Sequence, residues 1–161
     1  MFTIPSHKAE DTLKAGEAIG RSLRGGEILS LSGELGAGKT VLVRGVARGL
    51  SIHDFITSPT FVIVKSYPGR LILHHMDFYR LETLDDLESI GFEDFLQEDT
   101  VVAIEWAEKI PDAATRPFLH LTILYREGEE RILRVECPGD PDREKDLKKI
   151  LFSPSSGNTD R

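Results

Sequence analysis

The sequence predicts a single α/β domain, and three observations lead to that prediction. The segment "SLSGELGAGKT" (30–40) joins a short apolar strand to a glycine-rich loop and then to an amphipathic helix. The segment "TVVAIEW" (100–106) is almost wholly apolar, which is typical of a strand buried on both faces of a sheet. Further strand-like runs are joined in pairs by short polar turns. A chain of 161 residues is long enough for one such domain with its own core.

The first third of the chain is predicted as helix, strand, loop and helix. A small-to-apolar face recurs over residues 6–24, and Ser6 is placed to cap that helix. A pair of glycines then ends the helix before the strand "EILSLSG" (27–33). The second helix runs from Lys39 to Leu50 with one apolar side.

The rest of the chain alternates predicted strands with one short helix. Thr83 and Asp86 form a capping-box pattern at the start of that helix, and Gly91 is placed to end it. The predicted strands are 61–67, 70–77, 100–106, 118–126 and 130–137. The first two are joined by a tight turn at "YPGR", and the last two form a hairpin around "REGEER".

Composition and charge exclude several classes of protein. The formal net charge of −7 argues against a protein that binds nucleic acid by itself. A single cysteine, Cys137, fits a reducing compartment and allows no internal disulfide. No apolar run approaches the ~20 residues of a membrane helix, and the N-terminus does not resemble a signal peptide. We therefore expect a cytoplasmic protein without a membrane partner.

The glycine-rich loop matches the phosphate-binding pattern G-x-x-x-x-G-K-[ST] at every fixed position. Such a loop points backbone N–H groups inward, and the helix that follows adds a partial positive charge at its N-terminus. We expect Lys39 to face solvent and reach the β- and γ-phosphates, and the Thr40 hydroxyl to bind Mg²⁺. The matching residues are Gly33, Glu34, Leu35, Gly36, Ala37, Gly38, Lys39 and Thr40. A glycine-rich turn with an exposed lysine is the plain alternative, and its strand-and-helix context disfavours it.

Two carboxylates are candidates for the second half of a metal site. Glu105 ends the strand "VVAIE", and Asp77 ends "LILHHMD". Since Mg²⁺ usually takes one or two carboxylates and keeps several waters, one of them can bind the metal directly and the other through water. The sequence does not choose between them.

Other conspicuous residues are a tryptophan, two adjacent histidines and a proline-containing connector. Strand alternation places the Trp106 ring on the face opposite the Glu105 carboxylate, which favours core packing over a nucleotide contact. His74 and His75 are adjacent in a strand and point to opposite faces, so both are interpreted as structural. The connector "TSPTF" (57–61) is either a switch loop that senses the γ-phosphate or a plain connector.

Missing motifs narrow the class of phosphate-binding protein. No [NT]-K-x-D guanine motif and no D-x-x-G occur in the sequence, which excludes an ordinary GTPase. A minimal ATP-binding domain or a small kinase remains. No arginine-rich lid is evident, and this disfavours the kinase. We place the ATP-binding domain at 1–138, followed by a polar tail (139–161) that contains one short helix over 142–152 and the disordered end "SPSSGNTDR".

Four motifs in order resemble the bacterial TsaE (YjeE) family, the ATPase component of tRNA threonylcarbamoyladenosine biosynthesis. They are "GELGAGKTVLVRGVARGL", "ITSPTFVIVKSY", "HHMDFYRLETLDDLESIGFEDFL" and "VVAIEWAEKIP". The resemblance implies a P-loop NTPase fold with a mixed sheet flanked by helices. It also implies ATP/ADP and Mg²⁺ as cofactors, TsaD and TsaB as partners, and tRNA contacted through that complex.

The resemblance also assigns site residues. It implies Lys39, Asp77 and Glu105 as catalytic residues, and Thr40, Glu105 and Asp77 as metal ligands. It places Thr12 and Trp106 near the nucleotide, together with the loop from Glu34 to Thr40, and it favours a switch role for 57–61. Two rival functions stay open: a small-molecule kinase, and a nucleotide-sensing scaffold with negligible hydrolysis.

Overall fold

The computed structural model describes residues 1–113 and 118–153. Within those ranges the chain forms seven strands, four α-helices and three short 3-10 helices. The strands are β1 (Phe2–Ser6), β2 (Ile28–Gly33), β3 (Val64–Tyr67), β4 (Ile72–Asp77), β5 (Thr100–Glu105), β6 (Phe118–Tyr125) and β7 (Arg131–Glu136). The helices are α1 (Ala9–Ser22), α2 (Lys39–Gly49), α3 (Leu84–Ser89) and α4 (Pro141–Phe152), and the 3-10 helices are Phe92–Phe95, Ala107–Lys109 and Pro111–Ala113.

All seven strands form one mixed sheet in the order β1-β7-β6-β2-β5-β4-β3. The central pairs β6–β2, β2–β5 and β5–β4 are parallel. The outer pairs β1–β7, β7–β6 and β4–β3 are antiparallel, so the predicted mixed sheet is confirmed. Because β2, β4 and β5 run in the same direction, the residues that follow them meet at one edge of the sheet.

The core lies on both faces of this sheet. Every residue of β5 is buried, as its apolar sequence predicts. On one face, α1 and α2 pack against alternate residues of the central strands, among them Leu73, Val101 and Ala103. On the other face, α3 and the short 3-10 helices cover Met76, Val102 and their neighbours.

Glycines bring α1 and α2 into backbone contact. A methyl group added to Gly16 would lie 2.4 Å from the Leu42 carbonyl oxygen, and one added to Gly45 would lie 2.2 Å from the Leu13 carbonyl oxygen. Gly20 meets Gly49 in the same way one turn later, so the two helices run in the same direction. This packing fixes the axis of α2, the helix that begins inside the phosphate-binding loop.

The N-terminus differs from the prediction. Residues 2–6 form β1, which pairs with β7, and the helix begins at Ala9 rather than at Ser6. Ser6 does not cap the helix; its hydroxyl bonds to Thr12 Oγ1 and to the Lys8 carbonyl. The pairing partner of β1 lies more than a hundred residues away, and local periodicity does not reveal such a contact.

Other predicted elements are present with shifted ends. The strand predicted from residue 61 begins at Val64, because Ile63 has a left-handed backbone (φ 68°) that interrupts an extended run. The capping box of Thr83 and Asp86 is formed, and Gly91 follows the helix with φ 70°. The helix predicted at 142–152 is α4; its Leu147 is buried against the α1 side of the core.

The division into residues 1–138 and a tail stays a prediction. Residues 154–161, which include most of the end predicted to be disordered, lie outside the described ranges. Among the helices of residues 1–113 and 118–153, none combines the length and apolar character needed to cross a bilayer.

Candidate nucleotide-binding site

The glycine-rich loop connects β2 to α2 at the carboxyl edge of the parallel strands. Gly38 precedes the first residue of α2 with φ 112°, a left-handed conformation that favours glycine. Gly33 is needed for space, because a methyl group there would lie 2.8 Å from the Ile123 carbonyl oxygen. The loop therefore turns directly into the N-terminus of α2, the arrangement that binds phosphate in P-loop proteins.

The middle of the loop is turned back on itself. Ala37 is buried, and its N–H donates to the Glu34 carbonyl at 3.0 Å. Leu35 is largely exposed, and its carbonyl accepts from the Tyr125 hydroxyl at 3.3 Å. The roles of Glu34, Leu35, Gly36 and Ala37 toward phosphate stay predictions.

Lys39 is buried, which corrects the expectation that it faces solvent. Only 5% of the residue is exposed, and its Nζ donates to the carbonyls of Gly33 at 2.6 Å and of Glu34 at 3.1 Å. Burial lowers the pKa of Lys39, and the nearby carboxylates of Glu105, Glu108 and Asp77 partly oppose that shift. The loop carbonyls thus hold a cation in place where a phosphate would bind.

Thr40 and Glu105 meet directly. The Thr40 hydroxyl lies 3.2 Å from Oε1 and 3.3 Å from Oε2 of Glu105. Asp77 is the register partner of Glu105 on the adjacent parallel strand, and both carboxylates are about 4% exposed. The three side chains predicted as metal ligands are therefore brought to one edge of the sheet.

The two carboxylates differ in their hydrogen bonds. Asp77 Oδ2 accepts from the Thr60 hydroxyl at 2.8 Å, and Asp77 Oδ1 accepts from the Tyr79 N–H at 2.8 Å. Glu105 instead contacts Thr40, the predicted metal-binding hydroxyl. Asp77 is thus turned toward the connector 57–61, and Glu105 is turned toward the phosphate-binding loop.

The donor set suits a hard cation that nucleotide phosphates help to bind. A hydroxyl and carboxylates are oxygen ligands of the kind that Mg²⁺ prefers. In the part of the chain that the structure describes, no group of three or more His, Cys, Asp and Glu residues is arranged to hold a metal alone. Phosphate and water oxygens would have to complete the coordination, as is usual for Mg²⁺ bound with a nucleotide.

Trp106 packs on the sheet face opposite the Glu105 carboxylate, as strand alternation predicts, and it also lies beside the loop. The strand ends at Glu105, and Trp106 has a left-handed backbone with φ 59°. Its ring centroid lies 4.2 Å from Lys39 Nζ and 5.2 Å from the ring of Tyr79. The partly buried ring also packs on the α3 side of the core, so it contacts both the core and the candidate site.

The connector 57–61 is tied to the carboxylate edge by side chains. Thr60 bonds to Asp77, the Ser58 hydroxyl lies 2.7 Å from Thr60 Oγ1, and Lys65 Nζ donates to Thr57 Oγ1. Phe61, the last residue of the connector, is 82% exposed. These contacts support the interpretation of this segment as part of the site, and its role as a switch stays a prediction.

The two histidines have different surroundings. His74 lies on the α3 face, bonds to Ser66 Oγ at 2.7 Å and packs edge-on against Phe95. His75 is completely buried on the other face, and its Nε2 lies 2.6 Å from Glu105 Oε2. Sequence reasoning considered only whether His74 and His75 could bind one metal together, so it did not predict the contact between His75 and Glu105. The spacing of two between His75 and Asp77, which puts both on one face, was the available signal.

Thr12 lies near the start of α2. It precedes Gly16 by one turn, and the parallel packing of the helices sets it level with the first turn of α2. Its buried hydroxyl bonds to Ser6 Oγ at 2.7 Å. A contact of Thr12 with nucleotide stays a prediction.

Known proteins share this sequence and fold. A sequence model of the family described as "Threonylcarbamoyl adenosine biosynthesis protein TsaE" matches residues 6–133. The tRNA threonylcarbamoyladenosine biosynthesis protein TsaE of Treponema pallidum is 44% identical over 121 residues, covering 75% of this chain and 88% of that protein. The TsaE protein of Bacillus subtilis is 35% identical over 132 residues, covering 81% of this chain and 82% of that protein.

The solved structures include a similar fold. The crystal structure of Bacillus subtilis YdiB superposes with a TM-score of 0.75 and 30% sequence identity, over 93% of each chain. The predicted single-domain P-loop NTPase fold with a mixed sheet is confirmed by this likeness and by the strand order. The chain therefore belongs to the TsaE family of tRNA threonylcarbamoyladenosine biosynthesis proteins.

Proposed function

We propose that this protein binds ATP with Mg²⁺ and hydrolyses it as the ATPase component of tRNA threonylcarbamoyladenosine biosynthesis. One observation carries the proposal: Lys39 and Thr40, at the start of α2, lie at the same sheet edge as the buried carboxylates of Glu105 and Asp77. Family membership supports the pathway. The proposed partners are TsaD and TsaB homologues in the cytoplasm, with tRNA reached through them.

The phosphate-binding half of the proposed site uses groups that are already in place. The N-terminus of α2 offers backbone N–H groups and a partial positive charge to an anion. Lys39 would exchange its bonds to the carbonyls of Gly33 and Glu34 for bonds to phosphate oxygens. The exchange keeps the ammonium group hydrogen-bonded throughout, so phosphate binding does not leave a buried charge without partners.

The metal-binding half is assigned from the hydrogen bonds of the carboxylates. We assign Thr40 and Glu105 as direct ligands because they already lie within 3.3 Å of each other beside the loop. Asp77 is assigned a contact through water, since its oxygens bond to the Thr60 hydroxyl and the Tyr79 N–H rather than to Thr40 beside the loop. When bound, Mg²⁺ would neutralise phosphate charge and orient the terminal phosphate.

Hydrolysis by the chain alone is expected to be slow. Positioning and charge stabilisation supply most of the catalysis in phosphoryl transfer, and an arginine finger is worth a factor of about 10³ or more. The sequence offers no evident finger or base motif, so the energy of ATP is proposed to drive conformational change in a complex, with water as the acceptor.

Phosphate release measured with the partner pair tests the proposed activity. Glu105→Gln keeps the size of the side chain and removes its charge, and we expect phosphate release to fall at least about tenfold. Glu93→Gln, on an exposed 3-10 helix, is the matched control and should retain the wild-type rate. An unchanged rate in Glu105→Gln, with partner binding that still needs ATP, would favour the nucleotide-sensing scaffold.

Two further measurements separate the remaining alternatives. Radiolabelled ATP offered with candidate metabolites yields only free phosphate if the protein is an ATPase, and a labelled metabolite if it is a kinase. Depletion of the chain should lower the threonylcarbamoyladenosine content of tRNA, and restoration should recover it. Unaltered tRNA after depletion would contradict the proposed pathway role.

A further inference from the structure

A buried histidine contacts the proposed metal ligand from inside the core. His75 and Asp77 lie two residues apart on β4 and so share one face of the sheet. On the neighbouring strand β5, Ala103 pairs with His75 and Glu105 pairs with Asp77. This register brings the His75 ring beneath the Glu105 side chain, with Nε2 at 2.6 Å from Oε2.

Two side chains of the described residues bond to Glu105, and they differ in how easily they can move away from it. The Thr40 hydroxyl bonds to both of its oxygens, at 3.2 Å and 3.3 Å, from the first turn of α2. In the proposed function that hydroxyl turns to the metal, and its bond to Glu105 is given up. Among the described residues, the His75 side chain bonds to Oε2 alone, and because it is completely buried its ring is less free to move than the Thr40 hydroxyl.

We propose that His75 is a positioning residue: its Nε2–H bond to Oε2 orients the buried Glu105 carboxylate toward Thr40 and a Mg²⁺ ion bound with nucleotide, and leaves Oε1 free to bind the ion. The inference rests on the proposed function and adds a residue to it. A hydrogen bond of this kind fixes the orientation of a ligating carboxylate, and outer contacts of metal ligands commonly change metal affinity by about 10–100-fold.

Core packing alone accounts poorly for this histidine. In the described part of the chain, His75 Nδ1 is buried without a hydrogen-bond partner. A leucine or methionine would fill similar space without burying an unpaired polar atom. The same face of β4 carries Leu73, a fully buried apolar residue, two positions earlier. The contact with Glu105 is the feature that an apolar side chain would not supply.

Three substitutions separate positioning from packing. His75→Gln can place an amide N–H near the position of Nε2, whereas His75→Asn holds its amide too close to the backbone. His75→Leu removes the donor and keeps an apolar core. His74→Leu is the matched control, since this adjacent histidine lies on the opposite face against Ser66 and Phe95.

The measurement is the affinity of Mg²⁺ for the protein saturated with ADP, obtained by calorimetry, with ADP binding in EDTA measured in parallel. We expect His75→Leu and His75→Asn to weaken Mg²⁺ binding about 10–100-fold while ADP binding in EDTA is retained. His75→Gln should stay within about threefold of the wild type, as should His74→Leu. If His75→Leu does not fold, the comparison of Gln with Asn decides the question by itself.

Two different results would overturn the inference, and they show whether the positioning role alone or the whole proposed function is wrong. Mg²⁺ affinity that is unchanged in His75→Asn, or equally weakened in the Gln and Asn variants, contradicts a positioning role while the wild-type chain still binds nucleotide. A wild-type chain that binds neither ADP nor Mg·ADP contradicts the proposed function itself, and the positioning role falls with it.

Discussion

The two halves of the candidate site are built in different ways. The phosphate-binding half, from β2 to α2, is held by main-chain geometry and by backbone contact between α1 and α2. The other half, where the connector 57–61 meets the Asp77 carboxylate, is held by side-chain hydrogen bonds from Thr60 to Asp77 and from Lys65 to Thr57. The backbone of the phosphate-binding half is therefore set before a ligand arrives. The connector depends on a few side-chain bonds that it can exchange.

Exposure and backbone conformation follow the same division. Lys39 and the first turns of α2 are mostly buried, whereas Phe61 and Val62, at the end of the connector and just after it, are 82% and 59% exposed; within the loop, Leu35 is also exposed. Ile63 has a left-handed backbone, which for a β-branched residue costs on the order of 1–3 kcal/mol. Segments with few buried contacts and local strain are the ones that open first. We therefore expect the connector to change conformation more readily than the buried first turns of α2.

The largest expected effect is the loss of nucleotide binding in Lys39→Met. Charge-assisted hydrogen bonds contribute about 1.5–3 kcal/mol each, so losing the bonds to phosphate should weaken ADP binding at least about 100-fold. Calorimetry measures ADP binding in both proteins, because the substitution itself removes the contact between Lys39 and the Trp106 ring. Lys14→Met, at an exposed position on α1, is the control and should bind normally. If the Lys39 variant kept the wild-type affinity for ADP, the loop between β2 and α2 would not bind phosphate through this lysine.

Next in size is the destabilisation expected for Gly45→Ala. The added methyl group would lie 2.2 Å from the Leu13 carbonyl oxygen, so α1 and α2 must separate. Overpacking of this kind typically costs about 1–3 kcal/mol, which outweighs the gain of about 1 kcal/mol in helix propensity. Denaturant unfolding measures it, with Arg48→Ala on the exposed side of α2 as the control. A Gly45→Ala protein as stable as the control would show that the helices are not in backbone contact.

A pH titration sharpens the account of Lys39. Burial lowers the folded-state pKa of Lys39 below 10.5. As pH rises, Lys39 therefore loses the charge needed for phosphate binding earlier than an exposed lysine would. ADP affinity should therefore fall as pH rises through the lowered pKa, approaching about tenfold per pH unit above it. In Lys39→Met this component should be absent. An identical pH profile in both proteins would contradict the assignment.

The same group affects the stability of the nucleotide-free protein in the opposite sense. Between the lowered folded-state pKa and 10.5, the unfolded chain binds more protons at Lys39 than the folded chain does. The free energy of unfolding attributable to Lys39 should therefore rise with pH in that window. Subtracting the Lys39→Met profile from the wild-type profile isolates this contribution, and a difference that falls with pH would refute a lowered pKa.

The smallest effect is expected for Thr60→Val. It removes one of the two hydrogen bonds that Asp77 accepts, which should cost about 1–2 kcal/mol of folding free energy. Ser58→Ala is the control: its exposed hydroxyl bonds only to Thr60 in the described residues, so the change should stay within about 0.5 kcal/mol. Equal changes in thermal stability for both variants would show that the Thr60 bond holds the connector no better than a surface contact does.

The sequence predicted the parts of the site that depend on local chemistry. The loop pattern located Lys39 and Thr40, and parallel strands explain why Glu105 and Asp77 share an edge. Three features required knowledge of non-local contacts. β1 is defined by its pairing with β7, and Lys39 is buried by the loop and by Trp106.

The third feature is the contact between His75 and Glu105, which depends on the register of β4 against β5. Alternation within one strand predicts the face of the sheet on which a side chain lies. It does not predict which residue of the adjacent strand that side chain contacts. For Trp106, alternation predicted the side of the sheet on which the ring packs and missed the contact with Lys39, which comes from a distant part of the chain.

Calorimetry of ATP binding by the purified wild-type chain, in magnesium buffer and again in EDTA, tests the central claim most directly. A preformed loop with Lys39, backed by Thr40 and Glu105, predicts one ATP bound per chain and tighter binding with magnesium. The absence of binding heat in both buffers, alone and with the TsaD and TsaB homologues present, would contradict the account.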